Sequence, residues 1–173
     1  MVAKNNMGWY VIPMAHTRPR HVLALIKKRL KGLPVLALQG ARQTGKSFLA
    51  RELLSHDLES SQYLTLDTLV FKQAANASPD SFLLEYEDAK LLMIDEAQKA
   101  PPLFDAIKKQ ADDLKRPGRY LLLGSTEFSR QVLIRESLTG RLSRVRVYPF
   151  DLAETLGLDV IQKGPTSTFR KTL

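Results

Sequence analysis

The sequence predicts an α/β fold in which a mostly parallel, five-stranded sheet carries helices on both faces. Five short apolar runs occur along the chain, and the first, third and fourth are continuous, without the polar–apolar alternation that a half-exposed sheet shows. Stretches with apolar residues at helical spacing separate consecutive runs. Strands joined through helices pair in parallel, because each crossover returns the chain to the same edge of the sheet.

Length and composition support a single globular domain of this kind. The chain has 173 residues, of which 44% are hydrophobic and 25% charged, and that balance excludes a disordered chain. It contains no cysteine, which excludes disulfides, thiolate metal sites and cysteine nucleophiles. No segment has the features of a signal peptide or the length of a membrane-spanning helix. We therefore expect a soluble, cytoplasmic protein without membrane contact.

The amino-terminal part is expected to comprise an arm and one helix. Residues 1–17 show no clear period, which is typical of an arm. In residues 18–32, apolar residues recur at helical spacing from Val22 to Leu30, with basic residues between them, and Gly32 ends the pattern. This region is predicted to be an amphipathic helix with a basic face.

The remaining elements alternate and complete one domain, residues 18–156. The predicted strands are residues 34–39, 62–67, 90–95, 119–124 and 144–148. The predicted helices are residues 47–55, 68–88 with a break at Ser78-Pro79, 102–114, 129–138 and a short segment around Leu152. Residues 157–173 are expected to be a polar tail or the start of a missing C-terminal domain.

A glycine-rich turn between the first strand and the next helix predicts a phosphate-binding loop, because it matches Gly, four residues, then Gly-Lys-Ser. Glycines allow a tight backbone path on which amide groups converge on phosphate oxygens. Lys46 is predicted to reach the β- and γ-phosphates, and Ser47 to bind Mg²⁺. The alternative is a structural turn that carries Lys-Ser by coincidence. The predicted nucleotide-binding residues are Gly40, Ala41, Arg42, Gln43, Thr44, Gly45, Lys46 and Ser47.

Two consecutive acids, Asp95 and Glu96, end the third strand. At this edge of the sheet Asp95 is predicted to hold Mg²⁺ together with Ser47, and Glu96 to orient or deprotonate an attacking water. A polar residue, Ser125, also ends the fourth strand. Alternatively, the acids cap a helix or lie in a solvated turn, and Ser125 or Thr126 caps the following helix.

Positive charge is concentrated at the two ends of the chain, whose net charge is +8. Residues 1–51 contain ten basic residues and no acid, residues 52–113 carry a net −8, and residues 114–173 a net +6. Arg42 and Lys46 of the predicted loop explain part of the first excess. The rest predicts a contact with DNA or another subunit. The residues concerned are Arg18, Arg20, Lys27, Lys28 and Lys31 of the first helix, with Arg144 and Arg146 on one face of the last strand.

Four segments resemble the prokaryotic AAA+-type P-loop ATPases: Gly-Ala-Arg-Gln-Thr-Gly-Lys-Ser, Met-Ile-Asp-Glu-Ala-Gln-Lys, Leu-Gly-Ser and Leu-Thr-Gly-Arg-Leu, in that order. The chain is most similar to the branch whose ATPase domain precedes a C-terminal domain of unknown function. The resemblance covers roughly residues 18–156. It implies a three-layer P-loop NTPase sandwich with sheet order 5-1-4-3-2, ATP and Mg²⁺ as ligands, and, as in some relatives, oligomers or DNA-linked roles.

By position, the resemblance assigns phosphate binding to residues 40–47, metal binding to Asp95, the catalytic base to Glu96 and a γ-phosphate sensor to Ser125. It implies that Arg141 is an arginine finger acting on a neighbouring subunit; alternatively, Arg141 pairs with a local acid or carbonyl. Such relatives usually continue well beyond the fifth strand, and no helical lid with a second sensor arginine is visible. We therefore expect a truncated protein with weakened ATPase activity.

These features favour hydrolysis of Mg-ATP that drives a conformational change or partner exchange, in a homo-oligomer or with a partner protein. One alternative is a non-catalytic, nucleotide-gated DNA-binding module, although few aromatic residues interleave with the basic ones. Another is a small-molecule or nucleoside kinase, which Glu96 and the lack of a basic lid loop disfavour. No Asn-Lys-x-Asp motif occurs, which argues against a GTPase.

Overall fold

The computed structural model describes residues 2–5, 8–11, 20–54, 60–125 and 138–156. The chain divides into two compact units, a larger one formed by Val22–Pro149 and a smaller one formed by Met1–His21 with Phe150–Leu173. Several predicted features lie outside the described residues, namely Arg18, Thr126, the segment 157–173 and all but Leu138 of the helix predicted at 129–138.

The smaller unit begins with a pair of short strands that the sequence did not predict. They are β1 (Val2–Asn5) and β2 (Gly8–Val11), which pair antiparallel with Val2 opposite Val11. Strands of four residues are too short to show a reliable period, so the pattern of residues 1–17 does not reveal them.

Five parallel strands form the sheet of the larger unit. They are β3 (Val35–Gln39), β4 (Ser61–Thr65), β5 (Leu91–Asp95), β6 (Tyr120–Gly124) and β7 (Leu142–Arg146). Their order across the sheet is β4-β5-β6-β3-β7, and every neighbouring pair is parallel. This is the predicted order 5-1-4-3-2 read from the opposite side, and the predicted α/β fold class is confirmed.

The last strand begins and ends two residues earlier than the predicted span 144–148. Its final paired residue, Arg146, lies opposite Gln39, the last residue of β3. Because β3 ends where the chain turns at Gly40, no further position remains on β3 for pairing. Arg144 and Arg146 are both exposed, as their alternation along the strand predicts.

The described residues of the larger unit include five α-helices: α1 (Val22–Leu30), α2 (Lys46–Phe48), α3 (Leu69–Ala77), α4 (Pro79–Leu84) and α5 (Leu103–Leu114). Leu49–Leu54 continues α2 as a π-helix, and Ala97–Lys99 forms a 3₁₀ turn. The helix predicted at 47–55 is therefore α-helical at its start only, a difference that apolar spacing does not reveal. The predicted break at Ser78-Pro79 is present, because the residue before a proline avoids the helical conformation.

Both faces of the three central strands are buried, which explains why these strands read as continuous apolar runs. Every residue of β3, β5 and β6 is buried. Alternate residues point to opposite faces, so Val35 packs in one cluster with Phe104 of α5, and Leu36 packs in the other with Ile26 of α1. Within the described ranges, no helix combines the length and apolar character needed to span a membrane.

A buried ion pair organises the smaller unit. The helix α6 (Leu152–Thr155) is capped by Asp151, whose Oδ1 accepts a hydrogen bond from the Glu154 amide at 2.7 Å. Arg20 Nε lies 3.3 Å from Glu154 Oε1, and its guanidinium stacks over the Phe150 ring at 4.4 Å. Arg20 precedes α1 and is buried. The prediction that it lies on the basic face of the first helix is therefore wrong.

Candidate nucleotide-binding site

The predicted phosphate loop, residues 40–47, joins the end of β3 to α2. A Cβ atom at Gly40 would lie 2.3 Å from the carbonyl oxygen of Val147, so only glycine fits at the start of the loop. Gln43 and Gly45 have φ angles of 63° and 85°, in the left-handed region that sharply reverses the chain. The backbone therefore follows the tight path that the motif predicts.

The side chain of Lys46 turns back onto this loop. Its ammonium group donates hydrogen bonds to the carbonyl oxygens of Gly40 at 3.0 Å and Ala41 at 2.8 Å. Burial lowers the pKa of Lys46, and the carboxylates of Asp95 and Glu96 partly oppose that change. The loop thus encloses a cation that the two carboxylates at the end of β5 help to keep protonated.

Asp95 is the centre of a hydrogen-bond network that joins three segments. Its Oδ2 accepts hydrogen bonds from the Ser47 hydroxyl at 2.5 Å and from the Tyr63 hydroxyl at 2.6 Å. Its Oδ1 accepts one from the Glu96 amide at 2.9 Å. Asp95 is only 5% exposed, and these donors replace the water that its carboxylate loses on burial. Asp95 and Ser47, predicted to share a metal ion, are thus in direct contact.

The turn that follows β5 fixes the position of Glu96. Its φ angle is 54°, a left-handed conformation that is uncommon for a residue other than glycine. Gln98 Nε2 donates a hydrogen bond to Glu96 Oε2 at 2.5 Å. The Oε1 atom of Gln98 is buried and has no hydrogen-bond partner among the described residues, so it remains able to accept one from a water or ligand.

A cavity of about 380 Å³ brings these residues together at the carboxyl edge of the sheet. Its lining combines the phosphate loop with residues that follow β4, β5 and β6: Arg42, Gln43, Gly45, Lys46, Ser47, Phe48, Asp67, Glu96, Lys99 and Ser125. Lys99 forms an ion pair with Asp67 there. The cavity therefore includes Lys46, Ser47, Glu96 and Ser125, four of the residues that the sequence predicts to act together.

Comparison with known protein families shows which family has a sequence of this kind. A family model described as an AAA domain matches residues 33–156, a span that contains the whole cavity. The chain belongs to the AAA domain family. It is a P-loop AAA-type ATPase domain, as the sequence predicts.

Longer proteins contain relatives of this AAA domain. The uncharacterised proteins Mb2031c of Mycobacterium bovis and Rv2008c of Mycobacterium tuberculosis are each 32% identical to it over 151 residues. The match covers 87% of this chain and 31% of each relative. The chain therefore spans about a third of the length of these relatives.

Two solved structures have similar folds. The Walker-type ATPase PABY2304 of Pyrococcus abyssi aligns with a TM-score of 0.55 and 17% identity, over 83% of this chain and 60% of that one. PCH-2 of Caenorhabditis elegans aligns with a TM-score of 0.48 and 16% identity, over 75% of this chain and 41% of that one. The first agrees with the parallel sheet of the AAA domain.

Arg141 lies away from the nucleotide cavity of its own chain. Its backbone carbonyl accepts a hydrogen bond from the Val35 amide at 3.2 Å, at the start of β3, whereas the phosphate loop follows the end of that strand. The five residues of β3 separate these points by about 13 Å. The guanidinium Nη2 donates to Asp112 Oδ2 at 2.9 Å, which lowers the pKa of Asp112 and raises that of Arg141. Within its own chain, Arg141 is therefore paired with a local acid.

Tyr63, Gln98 and the Lys99–Asp67 pair belong to the site but were not predicted. Burial, and then the hydrogen bond to Asp95, raise the pKa of Tyr63 well above its usual range, so its hydroxyl stays a proton donor. Tyr63 and Asp95 lie on the neighbouring strands β4 and β5. Tyr63 is the central residue of β4, so its position in the sequence did not indicate a place at the carboxyl edge of the sheet.

Proposed function

We propose that this AAA domain binds Mg-ATP and hydrolyses it, and that hydrolysis drives a conformational change or the exchange of a partner. The observation that carries the proposal is the convergence of Lys46, Ser47 and Glu96 on one cavity, with Asp95 bonded to Ser47. These residues supply a cation for phosphate, two oxygen ligands for a metal ion and a carboxylate base.

The phosphate loop supplies the binding of the nucleotide. The Lys46 ammonium donates to two neutral carbonyls, of Gly40 and Ala41. Phosphate oxygens carry negative charge and form stronger, charge-assisted hydrogen bonds. ATP therefore draws the ammonium from the carbonyls to its β- and γ-phosphates, and the backbone amides of residues 40–47 donate to the remaining oxygens.

The oxygen atoms beside the loop fit Mg²⁺, which prefers oxygen ligands and retains several waters. The Ser47 hydroxyl and the Asp95 carboxylate would hold the ion, because they already lie in contact. When bound, Mg²⁺ neutralises negative charge that develops on the phosphates during the reaction. The Tyr63 hydroxyl fixes the rotamer of Asp95 by its hydrogen bond to Oδ2.

Glu96 acts as the general base. Its carboxylate accepts a proton from the attacking water, whose oxygen bonds to the γ-phosphorus as the bond to the bridging oxygen breaks and ADP leaves. Gln98 orients the Glu96 carboxylate through its Nε2. Ser125 lies on the cavity wall. Its hydroxyl donates a hydrogen bond to the γ-phosphate, and Ser125 thus acts as the sensor.

We further propose that the domain works as a homo-oligomer in which Arg141 contacts the nucleotide of a neighbouring copy. Within one chain, the whole length of β3 separates Arg141 from the phosphate loop. An arginine at that distance can stabilise transition-state charge only in another subunit.

The test compares phosphate release and nucleotide binding in Glu96→Gln with those of the unchanged chain. The substitution preserves side-chain size but removes the base, so we expect hydrolysis to fall by about 10²- to 10⁴-fold. Equilibrium binding of a fluorescent ATP analogue should stay unchanged. Glu87→Gln, an exposed site outside the cavity, is the matched control. Equal phosphate release from Glu96→Gln and the unchanged chain would contradict the proposal.

A further inference from the structure

A second cavity, of about 460 Å³, lies at the amino edge of the same sheet. It is lined by the carboxyl-terminal part of α1 and by the segments that enter β5 and β6. Four of its lining residues are cations, Lys27, Lys31, Lys90 and Arg116, and no acid is among the described residues that line it. The amino and carboxyl edges of a parallel sheet are opposite each other, so this basic cavity is separate from the nucleotide site.

The fold brings together cations from three separate segments of the chain. Lys27 lies in α1, and Lys31 directly follows the end of that helix. The Lys90 amide donates to the Ser60 carbonyl at 2.9 Å, which places Lys90 at the entrance to β5. A Cβ at Gly118 would lie 2.6 Å from the carbonyl oxygen of Leu30, so the loop that carries Arg116 is pressed against the end of α1.

Four cations around one concavity create a positive potential there, which attracts an anion with several charges. We propose that the basic cavity binds successive phosphates of a duplex DNA backbone. Lysine and arginine donate hydrogen bonds to phosphate oxygens without reading base identity. The expected binding is therefore independent of sequence and strongly dependent on salt. This proposal does not require that the AAA domain hydrolyse ATP.

The lining of the cavity favours duplex DNA over other polyanions. No aromatic residue lines it, so the described part of the chain offers no surface there for stacking single-stranded bases. The cavity is concave, whereas the surface of an anionic membrane is flat and would contact its rim only. A duplex backbone is convex and can place phosphates inside it.

The sequence predicts that the basic residues of the first helix form a single stripe with those of the last strand. In the structure, the basic residues of the first helix instead line two different cavities. Lys28 and Arg29 line a different cavity, of about 390 Å³, together with Ser143 of β7. Lys27 and Lys31 belong to the basic cavity. The two pairs lie within residues 27–31, at the end of α1, and carry equal charge, so they provide a matched comparison.

The experiment measures the affinity of the full chain for a short duplex of arbitrary sequence between about 50 and 200 mM salt. Two double variants alter the basic cavity, Lys27→Gln with Lys31→Gln and Lys90→Gln with Arg116→Gln. For each, we expect the slope of log affinity against log salt to decrease by up to about two, and affinity at low salt to fall about tenfold. The control, Lys28→Gln with Arg29→Gln, should keep the slope of the unchanged chain.

Three outcomes would overturn the proposal. The first is absence of salt-dependent DNA binding by the unchanged chain. The second is an equal loss in the control and cavity variants, which would indicate attraction by net charge alone. The third is tighter binding to vesicles of anionic lipid than to duplex DNA, with the same dependence on Lys27 and Lys31. Unchanged thermal unfolding and ATP-analogue binding of every variant show that the domain and its carboxyl edge remain intact.

Discussion

The two edges of the parallel sheet hold their charged residues in opposite environments. At the carboxyl edge, Lys46 and Asp95 are buried, and each makes several hydrogen bonds within the chain. At the amino edge, Lys31, Lys90 and Arg116 are exposed around their cavity. Removing one member of a buried network leaves its partners unsatisfied, whereas water readily replaces the contacts of an exposed cation.

From this difference we infer which property each edge controls. Substitutions in the carboxyl-edge network should alter both stability and nucleotide chemistry, because the same hydrogen bonds serve both. Substitutions of single cations at the amino edge should alter ligand binding with little effect on folding. Three substitutions test that division. Their expected effect on stability decreases from Gly40→Ala to Tyr63→Phe and then to Arg141→Ala.

The largest effect is expected at the carboxyl edge from Gly40→Ala. The added Cβ would lie 2.3 Å from the Val147 carbonyl oxygen and 2.9 Å from Thr44 Oγ1. The first contact is with backbone, so β3 or the segment after β7 must shift. We expect the free energy of unfolding to fall by about 3 kcal/mol, as measured by denaturant titration followed by circular dichroism.

Gly140→Ala is the matched control at the amino edge. Gly140 also has a positive φ, of 79°, but nothing lies within 4 Å of the position that a Cβ would take. The cost should therefore come from the left-handed backbone alone, about 1 kcal/mol. Equal losses for the two variants would show that the close approach of Val147 does not make glycine necessary at position 40.

The features that could be predicted from the sequence are those that consecutive residues determine. Residues 40–47 and the Asp95-Glu96 pair are continuous motifs, and their chemistry follows from residue type and spacing. The central strands could be located because burial on both faces makes β3, β5 and β6 mainly apolar. The order of those strands came from resemblance to AAA+-type ATPases, since local patterns do not determine which strands pair.

The unpredicted features depend on contacts between distant residues. Tyr63 and Asp95 are 32 positions apart, and their contact requires β4 and β5 to be neighbours in one particular register. The basic cavity has the same origin, because Lys27 and Lys90 line one cavity only after α1 packs on the sheet. The predicted end of β7 was wrong because the length of β3, and not the composition of β7, limits how many residues of the two strands pair.

An intermediate effect is expected from Tyr63→Phe, which removes one donor to the buried Asp95 carboxylate and leaves the ring. Ser47 and the Glu96 amide continue to donate to Asp95, so the loss should be partial. We expect the free energy of unfolding to fall by about 1 kcal/mol, together with weaker Mg²⁺-dependent binding of an ATP analogue. Both are measured on the same preparation.

Tyr86→Phe is the control for that measurement. The Tyr86 ring packs edge-on against Phe82, with ring centroids 5.5 Å apart, and the substitution keeps this contact. We expect no change in nucleotide binding and a smaller change in stability than for Tyr63→Phe. If both variants behaved alike, the hydroxyl of Tyr63 would have no particular role at the carboxyl edge.

The smallest effect on folding is expected from Arg141→Ala, because its ion pair with Asp112 lies at the surface of the amino edge. The unfolding midpoint should stay unchanged. ATP hydrolysis should nevertheless fall by up to about 10³-fold if Arg141 acts on a neighbouring subunit. Arg141 would then be an exception to the division between edges, since an amino-edge residue of one copy would contact the nucleotide at the carboxyl edge of another.

Mixing two inactive variants tests this directly. Arg141→Ala chains retain Glu96, and Glu96→Gln chains retain Arg141. In a mixed assembly, some nucleotide sites combine an intact Glu96 from one copy with an intact Arg141 from the next, so hydrolysis should exceed that of either variant alone. Light scattering checks that both variants assemble as the unchanged chain does. If normally assembled mixtures gain no activity, Arg141 does not act between subunits, and its contribution is confined to the pair with Asp112.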